Sequence, residues 1–65
     1  MIIVNGEPIS GLTEKSISEL IALRGYGEKQ VVAELNGEII KGSERPKVKL
    51  KDGDVVEILR FMGGG

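Results

Sequence analysis

The groups able to do chemistry in this 65-residue chain gather at its end. Cys, His and Trp are all absent. That removes thiol nucleophiles, the usual nitrogen and sulfur metal ligands, and the side chain that moves protons near neutral pH. Ten carboxylates are present, but none stands at a telling spacing from a base or a nucleophile. The hydroxyls of Ser10, Thr13, Ser16, Ser18, Tyr26 and Ser43 have no imidazole to activate them. What remains is Gly63-Gly64-Gly65, three bare residues ending in a carboxylate. Glycine lacks a Cβ, so such a tail is flexible and can thread a narrow channel. Met62 to Gly65 reaches at most about 14 Å when extended. A terminal carboxyl has a pKa of roughly 3.3–3.7, so at neutral pH it is an unreactive anion. It becomes an electrophile only when activated, for example as a mixed anhydride with AMP, and that requires an ATP-using partner. The chain is therefore expected to be no enzyme itself but the substrate of one. An incidental frayed terminus is the plain alternative.

Length and composition set the frame for that tail. Sixty-five residues make one domain, which buries only about 60% of its unfolded surface. A hydrophobic fraction of 40% in a regular pattern argues for a folded chain. Net charge is −1, with nine basic and ten acidic residues interspersed. This balance gives no electrostatic footprint for nucleic acid or for an anionic membrane. No apolar run approaches the length of a membrane span. The segment Met1-Ile2-Ile3-Val4 has neither a basic leader nor a cleavage site, so a cytoplasmic location is expected. Neither a metal site nor a bound cofactor is expected.

The elements that must position the tail can be read in order. Met1 to Val4 is apolar and β-branched, and Asn5-Gly6 signals a tight hairpin because both turn positions need positive φ. The return strand runs from about Glu7 to Ser10, with Ile9 opposite Ile2 and Pro8 suiting an edge. Ser16 with Glu19 forms a capping box for a short helix. Ile17, Leu20, Ile21 and Arg24 share one stripe of that helix, and Leu23 flanks it. Gly25 or Gly27 ends it; Gly25-Tyr26-Gly27 follows a helix and is a stop, not a phosphate loop. Val31 to Leu35, Asn36-Gly37 and Glu38 to Ile40 predict a second hairpin. Lys41 to Lys47 reads as an irregular polar loop, and its cations, Arg45 among them, as part of a solvated face. Val48 to Leu50 is a candidate short strand. Asp52-Gly53-Asp54 is a turn, and Val55 to Phe61 is the longest strand signal.

Hairpin, helix, hairpin and final strand give an α+β fold. The expected architecture is a β-grasp, or ubiquitin-like, domain over residues 1–61. One main helix packs on one face of a mixed four- to five-stranded sheet, with the first and last strands parallel at the centre. Residues 62–65 form the tail. In the last strand Val56 and Ile58 alternate with Leu59 and Phe61. If the first pair meets the helix, Leu59 and Phe61 stand on the open face, and with Met62 they become candidates for partner binding.

The whole chain resembles the ThiS family, sulfur carriers of thiamine-thiazole biosynthesis. The likeness runs through Met1-Ile2-Ile3-Val4-Asn5-Gly6-Glu7-Pro8, Leu35-Asn36-Gly37-Glu38-Ile39-Ile40 and Leu50-Lys51-Asp52-Gly53-Asp54-Val55-Val56-Glu57-Ile58, and ends with the di-glycine. Molybdopterin-synthase small subunits share the fold and the tail. They are usually longer and tend to approach the glycines through a proline, which Arg60-Phe61-Met62 lacks. Gly63 is one glycine more than the minimal ending. The resemblance implies that a ThiF-like adenylating enzyme activates the Gly65 carboxylate with ATP and Mg²⁺. A persulfide donor then converts it to a thiocarboxylate, and the sulfur passes to a ThiG-like thiazole synthase. Gly65 would be the reactive residue, with Gly63 and Gly64 supplying slimness. The alternatives are a carrier for molybdopterin or another metabolite, a ubiquitin-like protein modifier, and a non-catalytic β-grasp interaction module.

Overall fold

The computed structural model describes residues 1–61. Two short antiparallel strands open the chain, β1 (Ile2–Val4) and β2 (Glu7–Ile9). The turn between them holds Asn5 at φ 49° and Gly6 at φ 84°, the left-handed pair that matches the twist of a two-residue hairpin. Ile2 lies opposite Ile9, and Pro8 opposite Ile3. Because β2 is an edge strand, the missing proline N–H breaks no ladder.

Helix α1 (Ile17–Leu23) starts with both halves of the expected capping box. The Glu19 N–H donates to the Ser16 hydroxyl (3.0 Å), and the Ser16 N–H donates to the Glu19 carboxylate (2.8 Å). The bond from the Ser16 N–H holds the Glu19 carboxyl below its ordinary pKa. The helix ends in a left-handed Gly25 at φ 79°. There the Gly25 N–H reaches the Ala22 carbonyl (3.0 Å) and the Tyr26 N–H reaches the Ile21 carbonyl (3.1 Å), the paired bonds of a Schellman stop. The buried stripe is Ile17, Leu20 and Ile21. Arg24, which spacing puts on that stripe, is exposed as the C-cap, and half-buried Tyr26 packs against the core instead.

A single 3-10 turn (Glu28–Gln30) leads into β3 (Val31–Leu35), which pairs with β4 (Glu38–Ile40) around Asn36 (φ 52°) and Gly37 (φ 89°). The last strand, β5 (Val55–Arg60), runs parallel to β1 and antiparallel to β3. The order is β2-β1-β5-β3-β4, a five-stranded mixed sheet. The helix covers one face, where Ile2, Val4, Ala33, Val56 and Ile58 meet Ile17, Leu20 and Ile21. This is the β-grasp arrangement.

Two further expectations need correction. Val48 to Leu50 is not a strand. Lys49 makes only an isolated bridge to Ser16. The segment instead wraps the start of α1, where the Ile17 N–H donates to Val48 (3.1 Å) and the Leu50 N–H to Lys15 (2.8 Å), and it inserts Leu50 fully into the core. Arg45 does not belong to a solvated face either; it is 7% exposed. Its guanidinium donates to the Glu28 carbonyl (2.6 Å), the Glu28 carboxylate (3.0 Å) and the Val31 carbonyl (2.8 Å). Backbone carbonyls that neither helix nor sheet satisfies are what make a charged side chain tolerable there.

Candidate functional site

The candidate site is the exit of β5, which carries the tail. β5 sits at the centre of the sheet, and its alternation divides it cleanly. Val56 and Ile58 are 0% and 4% exposed, whereas Leu59 and Phe61 are 53% and 57% exposed. The strand period of two places the latter pair on the face that α1 leaves open. Val55 and Ile39 are also exposed on that face, and half-buried Val32 lies directly opposite Leu59. The predicted open face is therefore present, with Glu57 and Glu34 opposite each other among its apolar side chains.

Several contacts fix the strand up to its last residue. The Phe61 N–H donates to the Gln30 carbonyl (2.8 Å). One residue earlier, the Arg60 guanidinium lies over the Tyr26 ring, 5.5 Å from its centroid, within the range of a cation–π contact. Lower down, both hairpin turns reach in from the flanks. The Asn5 side chain accepts from the Ile58 N–H (2.7 Å) and donates to the Ile58 carbonyl (3.3 Å). The Asn36 side chain accepts from the Val55 N–H (2.9 Å) and donates to Asp54 (3.1 Å). The repeated Asn-Gly thus does two jobs in each copy. Glycine serves the turn; asparagine serves the turn and clasps β5. Turn propensity predicts the first job only.

Met62, Gly63, Gly64 and Gly65, the reactive and docking residues expected from the sequence, lie outside the described residues. Of the partner-binding candidates, Leu59 and Phe61 are brought together on one face beside the exit. Sequence reasoning missed Tyr26 and Arg60, which meet only because the helix stop and the end of β5 converge at the same end of the domain. Among the described residues no group of three or more acidic side chains is placed to hold a metal ion, and no helix is long and apolar enough to cross a membrane.

Comparison with known proteins agrees with this geometry. The ThiS family model matches residues 2–65. The sulfur carrier protein ThiS of Thermus thermophilus is 42% identical over 65 residues, covering all of both chains. A thiazole synthase of Paramagnetospirillum magneticum is 33% identical over 64 residues, which are 98% of this chain but 20% of that protein. The crystal structure of the thiamine biosynthesis protein ThiS from Geobacter metallireducens superposes with a TM-score of 0.77 at 39% identity, covering 98% of this chain and 97% of that one. A central strand with one open face, matched in sequence and in fold along almost the whole length, places the conclusion beyond the sheet topology alone: the chain belongs to the ThiS family.

Proposed function

We propose that this protein is a sulfur carrier of thiamine biosynthesis whose Gly65 carboxylate is the carrying group. The observation that bears most weight is full-length similarity to a sulfur carrier protein in a chain with no Cys or His to do chemistry of its own. An adenylating enzyme of the ThiF kind binds the body and directs the tail to ATP and Mg²⁺. The carboxylate attacks the α-phosphate, pyrophosphate leaves, and an acyl-adenylate forms. The terminal sulfur of a protein persulfide then displaces AMP, and a second thiol cleaves the S–S bond to the donor, leaving the thiocarboxylate. Thiocarboxylate sulfur is a better nucleophile than carboxylate oxygen, so the carrier delivers sulfur without releasing sulfide.

The acceptor on this reading is a thiazole synthase. Supporting it is the protein of that name in which a stretch similar to this whole chain makes up a fifth of the length. Leu59 and Phe61, with Met62 after them, dock the body on its partners, and Gly63 and Gly64 keep the tail thin enough for a channel. The setting is cytoplasmic, where ATP and persulfide donors are available, and the protein itself holds no cofactor. Intact mass spectrometry tests the reading. The chain is incubated with ATP, Mg²⁺, a ThiF-like enzyme and a persulfide donor. The expected result is a mass gain matching oxygen replaced by sulfur, absent from a chain truncated before Gly65. No gain with a competent partner would overturn the carrier, and high-mass lysine adducts would indicate a protein modifier.

A further inference from the structure

The tail exit carries a set of cations as well as an apolar face. Arg60 ends β5 and lies over Tyr26. Arg24 caps α1 two residues before Tyr26. Lys29 precedes Gln30, whose carbonyl holds the Phe61 N–H at 2.8 Å. All three basic residues are exposed. Of the nearby carboxylates, Glu28 is taken up by the Ser18 hydroxyl (2.6 Å) and by Arg45 (3.0 Å). Glu57 and Glu34 lie opposite each other on the open face of the sheet, whereas the strand period puts Arg60 on the helix side with Val56 and Ile58. Asp52 and Asp54 precede β5 at its other end, and Glu7 and Glu38 both lie level with Val56, four residues before Arg60. A chain of net charge −1 thus gathers three exposed cations, Arg24, Lys29 and Arg60, beside the end of β5.

We infer that Arg24, Lys29 and Arg60 form a basic collar that recognises carboxylates rimming the tail channel of the adenylating partner. This rests on the carrier reading above and adds a specificity surface to it. Distance selects the occupant. When Met62 to Gly65 is threaded, its extended length of about 14 Å separates the collar from the reaction centre. That exceeds the Debye length of about 8 Å at physiological salt. The collar therefore does not act on the ATP phosphates; it meets whatever surrounds the mouth. Three cations are too few for a nucleic-acid footprint. The Tyr26 ring holds the Arg60 guanidinium in place and lowers the ordering cost of an ion pair made with it.

The test is the steady-state rate of thiocarboxylate formation by a ThiF-like enzyme with ATP and Mg²⁺, from about 0.05 to about 0.5 M salt. For the unaltered chain KM should rise with salt. Arg60→Glu and Arg24→Glu should each raise KM about fivefold or more, leave kcat within about twofold, and flatten the salt dependence. Arg60→Lys keeps the charge and should stay within about twofold of the unaltered chain. Equal KM and equal salt response in both charge reversals would overturn the collar, as would an Arg60→Lys chain as poor as Arg60→Glu. If Arg60→Glu melts early, Arg24→Glu carries the same test from a separate element. An unaltered chain that gains no sulfur at all would instead overturn the carrier function beneath it.

Discussion

Arg45 ties together three pieces of chain that the sheet alone leaves loose. Its guanidinium bridges the Lys41–Lys47 loop to the 3-10 turn and to the start of β3. Arg45→Ala would leave the Glu28 and Val31 carbonyls without their donor, at a cost of about 2–4 kcal/mol. Urea denaturation should show that loss, whereas a change within about 0.5 kcal/mol would mark the site as ordinary surface. The partner carboxylate adds a pH dependence. The Glu28 carboxyl is held below its ordinary pKa, first by the Ser18 hydroxyl and then by Arg45. A depressed folded pKa contributes stability that is fully present above the unfolded value, about 4.3, and is lost as pH falls through the lower folded value. Acidification from neutral pH should therefore lower the Tm of the unaltered chain more steeply below about pH 4.3 than that of Glu28→Gln. Parallel curves would remove Glu28 from the acid response. The difference should be modest, because the Glu28 side chain is 45% exposed and solvent screens the pair.

At the scale of elements, β5 is gripped from both flanks by the two asparagines. Replacing Asn5 with Ala removes two bonds to Ile58 and also forces an alanine to φ 49°. Asn5→Gly keeps the turn and removes only the clasp, so it separates the two roles. It should cost about 1–2 kcal/mol, and Asn5→Ala roughly a further 1–2 kcal/mol for the left-handed backbone. If Asn5→Gly is as stable as the unaltered chain in thermal melts, the clasp contributes nothing. The same residues show what sequence can and cannot disclose. Both hairpins, the capping box and a glycine stop at Gly25 or Gly27 are legible because each is decided within about six residues by turn or cap chemistry. The alternation of β5 is legible because one buried face imposes a period of two. The asparagine clasps are not, since their partners lie 53 and 19 residues away. Arg45 reads as a loop cation until the carbonyls of Glu28 and Val31 are placed beside it. Val48–Leu50 has strand composition, yet the start of α1 takes up its backbone bonds.

For the whole molecule, one face of the sheet sustains the fold while the other stays open beside the exit, and on the function proposed above that open face docks the partners. The two roles should then separate by mutation even between adjacent residues. Ile58 and Leu59 are neighbours on β5 facing opposite ways, one 4% and the other 53% exposed. Ile58→Ala opens a cavity against α1 and should cost about 2–4 kcal/mol, a large share of the stability of so small a domain. The molecules that remain folded should still be activated with an unchanged KM, because the docking face is intact. Leu59→Ser should shift stability by no more than about 0.5 kcal/mol yet raise KM for the adenylating enzyme. Gly64→Val should do neither: its Tm should match that of the unaltered chain, while thiocarboxylate formation fails because a branched Cβ obstructs the channel. Melting curves paired with thiocarboxylate yield for the three variants would test the division. Loss of activation in strict proportion to loss of stability would contradict it, since docking and threading would then be consequences of folding alone. A normal yield from Gly64→Val would leave the docking face standing and remove the channel.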